Sequence, residues 1–362
     1  RNEMFLSHTV ENIIQNIRGN TEIIVILDGA WSDPGIPDAP NVTVVYHHEA
    51  IGQRAAQNEG ARISQAKYIM KIDAHCVIDE GMDVKMMEAM QGHDNWTMVP
   101  MMYNLHAFDW VCPEGHRIDQ GPTPKKGCLQ CGKPMTRDIL MVPRWSRKST
   151  FYRFDKTLHF QYWGDFNNRP EGKPDIAPTL SLQGSCFMLT RERYFALEVA
   201  DERHGSWGQQ GVEVACKTWL SGGEVMTNKK TWYSHMFRTQ GGDFGFPYPL
   251  SGSDVDKARK YSRELFLNGK WDKSIHNLDW LLEKFRPVPD WHYEVKKELM
   301  KPTKGVVYYT HNVGNPTILE KVRKQIKKGI KEKHIVSVSL EPVNLGKNIV
   351  LRQDPGYLTM AR

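Results

Sequence analysis

The chain has 362 residues, of which 40% are hydrophobic and 25% charged, and a formal net charge of +6. These proportions fit ordinary globular domains, exclude a fibrous or disordered chain, and leave room for two domains. The charge is too mild to imply a nucleic-acid partner by itself, and no apolar run reaches the roughly 18 residues of a membrane span.

Residues 21–27 form a continuous apolar run that ends in Asp28-Gly29, the pattern of a parallel strand buried on both faces. Residues 42–46 predict a second strand, 52–64 a helix with an Ala-rich inner face, and 68–72 a third strand that delivers Asp73-Ala74-His75. Side chains alternate along a strand, so positions 73 and 75 point the same way if the extended geometry persists. Both then reach one divalent cation, and a cation at the carboxyl end of a strand anchors a diphosphate. The strand–helix–strand order predicts an α/β fold with ligands outside the carboxyl ends of the strands, where Asp28 and Asp73 both lie.

Cys112-Pro-Glu-Gly-His116 and Cys128-Leu-Gln-Cys131 are two knuckles with zinc-ribbon spacing. Cys112, His116, Cys128 and Cys131 would close a tetrahedral site with no open position, which makes the expected Zn2+ structural. The alternatives are two free knuckles or a disulfide. The intervening residues 117–127 hold few apolar side chains, a deficit that metal ligation would offset. The insert is expected to span about 110–135. After it, residues 144–154 and 159–166 interleave aromatic and basic side chains. Such a stretch either stacks sugars, stacks bases backed by phosphate contacts, or packs over the sheet.

Farther on, residues 253–268 predict a helix with Ser253 as its N-cap and Gly269 as its stop, and 275–285 a second helical stretch closed by Arg286-Pro287-Val288-Pro289. Beyond that linker, 305–310 predict a strand, 316–328 a helix and 335–340 a strand. The expected organisation is a first domain over 1–250, a helical extension and linker over 251–300, and an incomplete α/β module over 301–362.

Arg1-Asn2-Glu3, the strand ending in Asp28-Gly29, the helix with Gln53-Arg54 and Asn58-Glu59-Gly60, and Asp73-Ala74-His75 together resemble GT-A, family-2-type glycosyltransferases. The Asp-x-His form is similar to that of the polypeptide N-acetylgalactosaminyltransferases. Residues 205–219 are similar to that group's Trp-Gly-Gly-Glu segment, and Ser234-His-Met-Phe-Arg238 to its Gly-His-Val-Phe-Arg. The resemblance covers about residues 1–240. It implies a Rossmann-like nucleotide-sugar-binding domain and a Mn2+ site (or one for another divalent cation) made by Asp73, His75 and His235. It also implies a donor pocket in which Asp28 accepts a hydrogen bond from the base, usually uracil, with Arg54 alongside and Asp73 at the diphosphate. Asp28 could instead cap its turn, Arg54 could be a solvated helix residue, and His235 a core histidine.

The acceptor-side segment departs from the family. Inverting relatives carry a Glu-Asp pair whose Asp is the general base. Aligned on Trp207-Gly208, those positions are Gln210 and Gly211, and Glu213 is the carboxylate left. Trp207, Gln210 and Glu213 are the catalytic candidates. Either Glu213 acts as base after a shift of the loop, or the reaction retains configuration and the leaving diphosphate takes the acceptor proton. The expected activity is metal-dependent transfer from a nucleoside-diphosphate sugar, UDP-linked by resemblance, to a hydroxyl of a protein, glycan or modified nucleic acid. The rival readings are a nucleic-acid-modifying glycosyltransferase and a catalytically silent scaffold that binds sugar nucleotides. Cys76, Cys186 and Cys216 lie outside the knuckles, which suits a reducing, cytoplasmic compartment. Family members open with an apolar strand before the Arg-Asn-Glu segment, and its absence here is expected to mark a fragment.

Overall fold

A computed structural model describes residues 2–238, 241–246 and 250–291, and three strands at 308–310, 333–337 and 349–352. The chain divides into two compact units, Arg1–Leu281 and Leu282–Arg362. The first opens with helix α1 (Leu6–Asn16), strands β1 (Ile23–Asp28) and β2 (Val42–His47), helix α2 (Gln53–Ile63) and strand β3 (Tyr68–Ile72). There follow β4 (Cys76–Ile78), α3 (Met82–Ala89), β5 (Trp96–Val111), β6 (Arg117–Asp119), β7 (Thr136–Ser149), β8 (Tyr152–Phe154) and β9 (Phe160–Tyr162). The unit continues through β10 (Ile176–Pro178), β11 (Cys186–Thr190), α4 (Arg191–Ala196), α5 (Gln210–Leu220), β12 (Glu224–His235) and α6 (Gly252–Ser262). Helix α7 covers Leu278–Lys284.

The main sheet runs β10-β12-β5-β11-β3, with β4 on β12 and with β6 and β7 on β5. Its centre is apolar on both faces: Met98, Met102, Leu105, Cys186, Phe187 and Leu189 are at most 1% exposed, which suits strands covered by helices on both sides. Met98 packs in one core cluster with Met82 and Met86 of α3, and the adjacent Thr97 is hydrogen-bonded to Thr218 of α5 at 2.7 Å. Helix α1 buries Val10 and Ile13, and its polar side chains hold β4. Thr9 Oγ1 accepts from Cys76 N at 3.1 Å, and Asn12 Oδ1 from Ile78 N at 2.8 Å.

Strand β1 pairs in parallel with β2 alone, and β3 pairs antiparallel with β11 alone, among the described residues. Both β1 and β3 line one cavity of about 1620 Å³, together with Val10 and Ile13 of α1 and Ala56 and Gly60 of α2. The sheet is thus two hydrogen-bonded pieces separated by a seam.

Several expectations shift. Five rings of the aromatic–basic stretch are core: Phe151, Tyr152, Phe154, Trp163 and Phe166 are at most 3% exposed, whereas Phe160 and Tyr162 line the cavity and Tyr162 is 49% exposed. Its outlying Trp145 packs edge-on against Tyr103 and Trp232, with centroids 5.0 Å away in each case. The packing reading holds for the five buried rings. Ser253 is not the cap of α6. Ser251 is, in a capping box with Asp254, and the helix closes in a π turn over Arg263–Leu267. Helix α6 belongs to the first unit, where His204 Nε2 meets Ser262 Oγ at 3.1 Å. In the second unit, β13 (Tyr308–Thr310), β14 (Lys333–Ser337) and β15 (Ile349–Arg352) form a parallel sheet in that order. The expected helix over 316–328 lies outside the described residues.

Candidate active site and metal centre

Strand β3 ends at Ile72, and the chain bends through 73–75 before β4. Asp73 and His75 therefore do not converge by strand alternation, as their spacing predicts. They converge because Asp73 N still donates to Ser185 O at 2.8 Å while His75 O accepts from Met236 N at 3.1 Å. Strand β12 runs antiparallel to β4 with His235 opposite Cys76, which brings in the third side chain. His75 Nε2 lies 3.0 Å from His235 Nε2, and His235 Nε2 lies 3.2 Å from Asp73 Oδ2.

Each of two ligand candidates is oriented from behind. Glu3 Oε2 takes the His75 Nδ1 side at 3.1 Å, which assigns that proton and leaves the Nε2 lone pair facing the site. Glu3 is paired in turn with Arg238. Lys71 pairs with Asp73 Oδ1 and donates to Gly184 O at 2.7 Å. Burial opposes charge on Asp73, yet Lys71 and His235 outweigh it and hold the carboxyl far below its usual range. Burial lowers His235 to about 4, against the pull of Asp73, so the ring is neutral and its nitrogen is a lone-pair donor near neutral pH. One carboxylate oxygen and two imidazole nitrogens crowded this closely repel unless a proton or cation sits among them. The set fits a divalent ion of the manganese type. Glu3, Lys71 and Arg238 carry no assigned role in the sequence reading, although a lysine inside an apolar strand is a legible anomaly.

Asp28, at the end of β1, lines the same cavity. Its Oδ1 accepts from Ile51 N at 2.6 Å and its Oδ2 from Gly52 N at 3.1 Å. It therefore fixes the loop entering α2, while each oxygen retains a second lone pair.

Arg54 and Glu213 need correction. Neither lines the cavity. Arg54 is 3% exposed, pairs with Glu213, and donates to Gly208 O at 2.7 Å. Glu213 is fully buried, takes Asp201 N at 2.9 Å and Lys217 Nζ at 2.9 Å. Burial would raise its pKa, but Arg54 and Lys217 together pull it down to about 2. A carboxylate so enclosed and so acidic is unfit as a base, and Arg54 is its partner rather than a wall of the donor pocket. The missing acidic pair has a steric cause at Gly211: a Cβ there would lie 2.0 Å from Leu182 O. Trp207 and Gln210 do line the cavity. Trp207 packs edge-on against Phe246 with centroids 5.4 Å apart, and Gln210 is hydrogen-bonded to Gln57 of α2.

Cys112, His116, Cys128 and Cys131 also come together, at the far end of the β5–β7 hairpin. A third group, His106, Asp109 and Asp119, is crossed by Arg117 and Arg144, which pair with its carboxylates. Among the described residues, no helix is long and apolar enough to cross a membrane.

Residues 1–135 match the model of the family "Glycosyl transferase family 2". A putative polypeptide N-acetylgalactosaminyltransferase 13 of Drosophila melanogaster is 22% identical over 60% of this chain and 33% of its own length. Polypeptide N-acetylgalactosaminyltransferase 6 of Bos taurus is 20% identical over 55% of this chain and 28% of its own. The chain thus spans about a third of the curated relatives that it matches. A crystal structure of GalNAc-T7 with UDP, GalNAc and Mn2+ has a similar fold, at a TM-score of 0.51 and 17% identity over 74% of this chain and 47% of that one.

Proposed function

From the premise that the chain carries a family 2 glycosyltransferase domain of GT-A type, close to the N-acetylgalactosaminyltransferases, we propose that it transfers a sugar from a nucleoside diphosphate to a hydroxyl acceptor. The observation that carries this reading is the meeting of Asp73, His75 and His235 at one end of a cavity that Asp28 also lines. Asp73 Oδ2 and the two Nε2 atoms would hold a divalent cation, Mn2+ for preference. Bound there, the cation would supply a Lewis acid for the departing diphosphate. Lys71 keeps Asp73 ionised, and Glu3 keeps His75 turned inward. Asp28 would accept from an imide N–H of the base, which favours uracil and hence a UDP-sugar.

The state of the carboxylates supports retention of configuration. Glu3, Glu22, Asp28, Asp73 and Asp83 line the cavity among the described residues, and every one is engaged. Glu22 binds Ser64 Oγ at 2.5 Å, and Asp83 binds Thr21 Oγ1 at 2.7 Å. With Glu213 sealed away and Gly211 unable to carry a side chain, none is free to serve as base beside Trp207. The acceptor proton then passes to a diphosphate oxygen as the C1–O bond to phosphate breaks. The new C1–O bond forms on the same face.

The test is manganese-dependent hydrolysis of UDP-sugars, followed by NMR of any transfer product. Turnover is expected to disappear in Asp73→Ala and the product to keep the donor's anomeric configuration. Turnover that survives Asp73→Ala would remove the metal reading, an inverted product would remove the front-face reading, and no hydrolysis or transfer of any sugar nucleotide would leave a scaffold.

A further inference from the structure

We propose that Cys112, His116, Cys128 and Cys131 bind one Zn2+ in a closed structural site that fixes the tip of the β5–β7 hairpin, independently of the transfer reaction. The geometry carries this. Cys112 Sγ and Cys128 Sγ each lie 3.5 Å from His116 Nδ1, and Cys131 Sγ lies 3.6 Å from Cys112 Sγ. All four ligand atoms fall within 4.8 Å of one another. Zn–S bonds of ≈ 2.3 Å and Zn–N bonds of ≈ 2.0–2.1 Å at tetrahedral angles require edges of roughly 3.5–3.8 Å. The three edges Cys112–His116, Cys128–His116 and Cys131–Cys112 have that spacing. All six cysteines are free, so neither knuckle is spent on a disulfide.

The backbone is shaped to present the sulfurs. Gly115 N donates to Cys112 O at 2.8 Å, Gly132 N to Cys128 O at 2.8 Å, and Gln130 N to Cys128 Sγ at 3.4 Å. Cys112 N pairs with His116 O at 3.1 Å, and Cys128 N with Lys133 O at 2.8 Å. Gly127 sits at φ +67°, and a Cβ there would lie 2.7 Å from Lys133 O, so the second knuckle closes only with glycine before its cysteine. Cys112 and Cys128 are 3% exposed, although the segment has little apolar surface to bury. Leu129, at its tip, is 82% exposed. Something other than a hydrophobic core holds these turns, and four soft ligands with no open position point to zinc.

The site also has a mechanical reach. Residues 117–119 add β6 to the edge of β5, and Thr123 N then donates to Asp243 Oδ1 at 2.9 Å, with its hydroxyl on the same carboxylate. That turn continues to Gly245, whose carbonyl accepts from Arg238 at 3.1 Å.

Metal analysis of the whole chain, purified without chelator and dialysed, tests the proposal. One zinc per chain is expected, retained in an Asp73→Ala/His235→Ala variant and lost in Cys128→Ser/Cys131→Ser. Replacement by Co2+ in the unmodified chain guards against cysteine variants that fail to fold. An intense tetrahedral thiolate spectrum is expected. An absence of bound zinc, zinc that follows Asp73 and His235 instead of the cysteines, or an octahedral cobalt spectrum would each overturn the site.

Discussion

Four groups converge on Glu213: the Arg54 guanidinium, the Lys217 ammonium, Asp201 N and, at 3.7 Å, His204 Nδ1. A buried carboxylate with one partner removed leaves a stranded charge worth about 3–5 kcal/mol, so this cluster fixes the start of α5 against α2. Its titration gives a pH signature in the metal-free protein. Glu213 falls from 4.5 to about 2 in the fold, so its contribution is complete above pH 4.5 and is lost as pH drops toward 2. Burial lowers His204 from 6.5 to about 4. The unfolded chain therefore takes up that proton first, and stability declines between pH 6.5 and 4, by up to about 1.4 kcal/mol per pH unit for each such group. Urea unfolding in pH steps should show both limbs. His235, also lowered to about 4, shares the upper limb, so His204→Gln should reduce that limb in part and leave the lower one, and an unchanged upper limb would assign it to other groups.

At the level of elements, close approach rather than propensity decides the acceptor-side segment. Gly211 is the second residue of α5, and Gly184 packs on it: a Cβ at 184 would stand 3.1 Å from Gly211 N. Gly211→Ala should lower the melting temperature markedly, because the loop carrying Leu182 must move, and Gly211→Asp should not create a working base. An alanine variant as stable as the parent would refute the steric account. Locally patterned elements were legible from sequence: 68–72 reads directly as β3, and 42–46 and 52–64 lie within a residue of β2 and α2. Asp73, His75 and His235 were legible through motif resemblance, since no local pattern links residues 160 apart in the chain. What the pattern could not give is the burial of Glu213 and Arg54. Arg54 sits in a polar helical stretch that reads as exposed, Glu213 stands among Val212, Val214 and Ala215 on a helix buried from Gly211 onward, and no local pattern joins the two across the chain. Ser251 and Ser253 are equally good caps by composition; Asp254, three residues after Ser251, completes the box.

At the scale of the molecule, the seam between β1 and β3 sets an order of disassembly. Among the described residues, strands β1 and β2 keep only their own ladder, so no strand pairing joins them to the main sheet, and α2 is tied to the rest of the unit through side chains such as Arg54 and Gln57, whereas β5 is flanked by β7, β11 and β12. Regions with fewer shared hydrogen bonds open at lower free energy. Amides of Ile23–Asp28 and Val42–His47 should therefore exchange with deuterium well before those of the central stretch of Trp96–Val111, as mass spectrometry of proteolytic fragments can check. Asp28 stands on one bank of this seam and Asp73 with its two histidines on the other. A nucleotide sugar whose base meets the first and whose diphosphate meets the second would act as a suture. Its binding would then be read most clearly as slowed exchange in the two strands on the Asp28 bank, and equal slowing throughout the unit would argue that no such bridging occurs.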